Sequence, residues 1–225
     1  MLSARTRDPF RRRRKPTLLA KLLIGYVVSV VTLGCTAAPA GTKPVIVPAD
    51  VRALVAPTDT LLAYKAADLY RDGSWAAVIV VRHPASEMSD LDFDHNPCDL
   101  LVLRRERGKL VKVDHSKKAV DCTYNDVERH APAMSLNDYL KVSPASIVFI
   151  NQKARGNSTF YFAWSQKKAA WYLRRATATN VGDGADVNDV SVTDVSASYP
   201  KNFGWTPMSS VDPDAMADIL NKLAK

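Results

Sequence analysis

Ala145-Ser-Ile-Val-Phe-Ile-Asn-Gln152 and Ser158-Thr-Phe-Tyr-Phe-Ala-Trp164, with Arg155-Gly156-Asn157 between them, decide the reading of this chain. Both runs are rich in β-branched and aromatic residues and are bounded by polar turn residues, the pattern of two strands joined as a hairpin. Strict alternation sets Phe160, Phe162 and Trp164 on one face and Tyr161 on the other. After Ser165-Gln-Lys-Lys168 the chain returns as a strand over Ala169 to Ala176, with Trp171 and Leu173 facing the same way as the phenylalanines. That face is expected to be core. Tyr161, Tyr172 and Arg174 point the other way, and Tyr and Arg are residue types that carry binding energy where a partner covers them. They are the candidate contact surface.

Outward from this hairpin the same grammar repeats. Leu61 to Leu69 and Trp75 to Val81 flank Arg71-Asp72-Gly73-Ser74, in which Gly73 can take positive φ. Val78 to Val81 is continuously apolar, as a strand covered on both faces would be. Asp99 to Arg105 and Lys109 to Val113 form another hairpin around Gly108, and Val187 to Ala197 reads as a last strand. Pro48 to Val55 suits one or two helical turns, whereas 123 to 143 is weakly patterned and His130-Ala-Pro132 would break a helix. At the C-terminus Asp212 can cap a helix and Pro213 occupies its first position, where a missing N–H costs nothing. Met216, Ile219, Leu220 and Leu223 then make one apolar stripe. The expected fold is mainly β: antiparallel meander sheets, propeller-like or a sandwich, with a C-terminal helix. Leu103-Arg104-Arg105 and Leu173-Arg174-Arg175 echo each other, too briefly to establish a duplication.

The front of the chain is written differently. Arg11-Arg-Arg-Arg14-Lys15 precedes an apolar run from Leu22 to Leu33 that ends in Gly34-Cys35, the order of an export signal. The run is short of the roughly 20 apolar residues a spanning helix wants, and its basic flank would stay on the cytoplasmic side. With Gly34-Cys35 at its end it resembles a bacterial lipoprotein signal. The resemblance implies cleavage before Cys35, acylation of that cysteine with palmitate-type chains, and anchoring that two or more chains make stable. Thr36 and Ala37 lack the Asp that favours inner-membrane retention in such lipoproteins, so the resemblance points to the outer membrane, facing the periplasm. Two other readings stay open: ordinary secretion after Ala38-Pro39-Ala40 into the soluble periplasm, and an uncleaved single-pass anchor in the inner membrane. The expected organisation is an export signal over 1–34, a lipid-anchored tether over 35–47 and a single β-rich domain over 48–225.

Removing the leader changes the composition. Residues 1–35 hold eight of the 31 Lys/Arg and one of the 23 Asp/Glu, so the rest carries 23 basic and 22 acidic side chains. A near-neutral domain has no large field to draw it to phosphate, which argues against a nucleic-acid partner. Of three cysteines, Cys98 and Cys122 remain to pair. An oxidising compartment permits the bond, and closing their loop contributes about 3 to 4 kcal/mol in the chain-entropy account. Two buried free thiols are the alternative; a zinc site lacks the ligand spacing.

Chemistry-bearing stretches are few. Asp90, Asp92 and Asp94 lie in the loop before Cys98 at positions where a tight turn can converge three carboxylates on calcium, but His95 and Leu101 occupy the places where an EF-type loop needs Gly and a bidentate Glu. The other reading is a solvated acidic loop leading into the bridge. Asp68-Leu-Tyr-Arg-Asp72-Gly73 resembles the loops between strands of calcium-binding β-propeller repeats; Tyr70 and Ala76 replace oxygen ligands there, which implies the turn without the metal. Asp183, Asp186 and Asp189 read as a flexible loop. His83, His95, His115 and His130 have neither metal spacing nor a nucleophile motif around them, and no G-x-S-x-G, H-E-x-x-H or Gly-rich phosphate loop occurs. No cofactor other than calcium is suggested. The functional expectation is a membrane-anchored periplasmic module that binds a protein, of inhibitor or immunity type against an envelope-attacking hydrolase. A structural accessory of an envelope secretion or assembly complex and a divergent hydrolase built from residues distant in sequence are the alternatives.

Overall fold

In the computed structural model, residues 45–84, 97–122, 131–183 and 189–225 are described. Residues 1–34, expected to direct export, Cys35 and the Asp90, Asp92 and Asp94 loop lie outside them, as do His95, His130 and Asp186. Nine strands form two antiparallel meanders. The first sheet holds β1 (Thr60–Ala67), β2 (Ala76–Arg82), β3 (Cys98–Glu106) and β4 (Lys109–Ser116); the second holds β5 (Leu140–Ser143), β6 (Ser146–Lys153), β7 (Gly156–Ser165), β8 (Ala170–Asp183) and β9 (Val190–Ser198). A short helix α1 (Ala49–Arg52) precedes them and α2 (Pro213–Leu223) closes the chain. Among the described residues no helix is long and apolar enough to cross a membrane.

Alternation explains where each strand's side chains go. Val78 and Val80 of β2 join Leu62, Leu100 and Val102 in a core shared with Ile147, Phe149, Phe160, Phe162, Trp171 and Leu173 of the second sheet. The residues between them, Ala77, Ile79 and Val81, point to the opposite side of the first sheet, where Val47, Val51 of α1 and Met134 cover them. The unbroken apolar run of β2 is therefore a strand buried on both faces. The second sheet has its inner face in the shared core, and its outer face carries half-buried side chains such as Val148, Tyr161 and Tyr172 beside exposed Arg174 and Arg175. Phe160, Phe162, Trp171 and Leu173 are all buried, as alternation required.

Turn chemistry agrees with the hairpins. Arg107 and Gly108 both take positive φ between β3 and β4, the geometry that matches strand twist in a tight turn. Gly73 has φ +75. Gly156 differs: a Cβ there would lie 1.8 Å from the Thr179 carbonyl oxygen, so glycine serves a close approach between backbones. Two elements escaped the periodicity. The strand β5 is four residues long, too short to show a period, and exists through its pairing with β6 across the Pro144-Ala145 turn. The strand β8 runs to Asp183, well beyond Ala176, and pairs with β9 as far as Val190. At the C-terminus Asp212 accepts from the Asp214 and Ala215 N–H groups, and α2 buries Met216 and Leu220.

Candidate functional site

The outer face of the second sheet is shaped by one bulge. Tyr161 pairs with Arg175 and Phe162 with Leu173, so Arg174 is an extra residue in β8. Without it, alternation from buried Leu173 would drive Arg175 into the core. With it, Arg174 and Arg175 are both exposed while Ala176 returns inward. The Arg174 carbonyl accepts from the Tyr199 N–H at 3.0 Å, which ties the bulge to the segment after β9. The bulge puts two successive arginines on the outer face.

A cleft of about 450 Å³ lies beside them. Small residues leave the space: Ala145, Ser146, Ala163 and Ser198. Tyr161, Arg174, Arg175 and Tyr199 border it. The Arg175 guanidinium carbon sits 3.9 Å from the centroid of the Tyr161 ring, a cation–π contact that orients the group. Next to the cleft, Tyr172 stacks on Trp205 at 4.3 Å, and Tyr199 packs edge-on against both rings at 5.6 and 5.8 Å. The Lys168 ammonium lies 3.9 Å from the Trp205 ring centroid. Of the three residues singled out from sequence, Tyr161 and Arg174 line the cleft directly. Tyr172 does not; it joins the site through Tyr199. Arg175, Tyr199, Trp205 and Lys168 were missed. The sequence carried no signal for Arg175, since its outward direction depends on a bulge that the register with β7 sets.

The other arginine pair behaves differently. Arg104 reaches Asp72 at 2.5 Å and covers the Tyr70 ring at 4.4 Å. Arg105 pairs with Asp50 and lies over Trp75 at 5.3 Å. Arg105 holds the Asp50 carboxyl below its ordinary value, and the nearness of Ser74, whose N–H donates to it, does the same for Asp72 with Arg104 alongside. Arg174 and Arg175 have no carboxylate partner among the described residues.

Of the acidic candidates, Asp68 and Asp72 are engaged internally. Asp68 accepts from the N–H groups of Asp72 and Gly73 at 3.1 and 3.0 Å, and Asp72 from that of Ser74 at 2.9 Å. The propeller-like loop thus keeps a turn whose carboxylate oxygens meet backbone donors and Arg104. No group of three or more potential metal ligands comes together among the described residues. His83 is 45% exposed on its side chain, and its ring nitrogens face Asp59 at 2.9 Å and Asp99 at 3.4 Å. Asp114 on β4 is half-buried against the inter-sheet aromatics, and burial pushes its carboxyl above the usual value against the pull of the His115 and Trp171 N–H groups. Beside it, Trp171 Nε1 donates to the Tyr70 hydroxyl at 3.4 Å, and the Trp164 ring meets Tyr70 edge-on at 4.7 Å. Asp114 does not line the cleft. Cys98 and Cys122 stand at bonding distance, Cα atoms 5.8 Å apart.

No family model, no curated protein and no solved structure matches this chain.

Proposed function

We propose that the chain is an exported, lipid-tethered binding module whose outer β6–β7–β8 face holds a protein partner, of inhibitor or immunity type against an enzyme that attacks the cell envelope. The observation that carries the binding reading is the cleft of Tyr161, Arg174, Arg175 and Tyr199, which joins two unpaired guanidinium groups to a cluster of rings. Aromatic and Arg side chains around a partly enclosed space are what interface hot spots are made of. Export is supported by the leader pattern at Arg11 to Cys35 and by the proximity of Cys98 and Cys122, a pair that suits an oxidising compartment.

The test is affinity capture from an envelope extract with the wild-type chain and with Arg174→Ala/Arg175→Ala. A stoichiometric partner held by the first and lost by the second supports the reading. Capture that ignores the substitutions, or no partner under several conditions, counts against it.

A further inference from the structure

Two Leu-Arg-Arg triplets in one chain allow an internal comparison. In the first, each guanidinium has both an aromatic ring and a carboxylate: Tyr70 and Asp72 for Arg104, Trp75 and Asp50 for Arg105. In the second, Arg175 has its ring, Tyr161, and among the described residues neither arginine meets an acid. Two like charges on adjacent residues repel, and a carboxylate set between them relieves the repulsion while accepting from both forks.

We propose that the Arg174–Arg175 cleft takes carboxylate side chains from an acidic segment of the protein partner, which would stand where Asp50 and Asp72 stand for the other pair. This rests on the binding-module reading above. The space suits one or two side chains, not a folded element. Ser146, Ser198 and the Tyr161 and Tyr199 rings line it with hydroxyl donors and apolar surface, so a Glu or Asp would find both charge and hydrogen bonds. Desolvation by the rings strengthens such a pair relative to one in open water.

The probe is a fluorescent oligoglutamate peptide titrated into the full-length chain in detergent, with inorganic phosphate and glycerol 1-phosphate as competitors. Arg174→Gln/Arg175→Gln is compared with Lys109→Gln/Lys112→Gln, which removes the same charge from β4. Saturable binding that weakens about tenfold or more in the arginine variant and little in the lysine variant supports the proposal. Equal weakening in both variants reduces the effect to net charge and overturns it. Displacement of the peptide by phosphate or glycerol phosphate at lower concentration than by unlabelled oligoglutamate overturns it in favour of a phosphoryl ligand. Both variants are exposed on strand surfaces, and unchanged thermal unfolding excludes misfolding as the cause of a loss. If oligoglutamate fails to bind while partner capture still needs Arg174 and Arg175, the carboxylate assignment falls and the binding face stands. If capture is indifferent to them, both fall.

Discussion

At the scale of single residues, two positions carry strain or desolvation that a substitution can read out. Gly156 has φ +133 and no room for a Cβ beside the Thr179 carbonyl. Gly156→Ala is expected to destabilise the chain by about 2 kcal/mol or more, seen as a lower urea midpoint with an unchanged slope. Asp114 titrates in the opposite sense to Asp50 and Asp72. Its folded-state carboxyl holds the proton more tightly than in the unfolded chain, so the folded state binds more protons between the two values. Its contribution therefore falls as pH rises through that window, and the penalty is complete above the folded value. Asp114→Asn should gain stability over wild type at neutral pH and lose that advantage as pH drops through the ordinary carboxylate range. A stability difference between the two that does not change with pH would contradict the assignment. The same scale explains what was unreadable at Arg175. Which way an arginine points depends on a single extra residue in β8, and the bulge exists only in the register with β7.

At the scale of elements, local sequence was sufficient where a run carried clear apolar patterning between turn residues or a cap was explicit. The C-terminal helix follows from Asp212, Pro213 and the stripe beginning at Met216, and Asp212 does accept two backbone donors. Asp212→Ala should cost about 1 kcal/mol, measurable by thermal unfolding, because two N–H groups lose their acceptor. The hairpins around Gly73, Gly108 and Gly156 were legible for the same reason, as turn residues between alternating runs. The strand β5 was not, because Leu140-Lys-Val-Ser143 is too short a run to establish a period and gains order from β6. The extension of β8 past Ala176 was not either. Thr177 to Asn180 are polar or small, and their strand conformation comes from backbone pairing with β7 and β9 on either side.

At the scale of the whole molecule, the two meanders share one core, and Cys98 and Cys122 join the start of β3 to the segment after β4. Cys98→Ser or Cys122→Ser is expected to lower stability by about 3 kcal/mol in an oxidising buffer and by much less under reductant. Equal stability of wild type and variant when oxidised would show that the pair does not bond. Cys35→Ser should move the chain from membrane to soluble fractions if its front end is the anchor. The residues by themselves determined the class of fold, the core face of β7 and β8, the pairing of the cysteines as an expectation and the near-neutral balance behind the leader. These follow from period, turn chemistry and counting, which are local or additive properties. Only the tertiary structure decided which residues form the cleft: it set a bulge, brought Tyr199 and Trp205 back against Tyr172, and matched one arginine pair with Asp50 and Asp72 while leaving the other unmatched. Charge compensation depends on distances between residues remote in sequence, and those distances are fixed by packing.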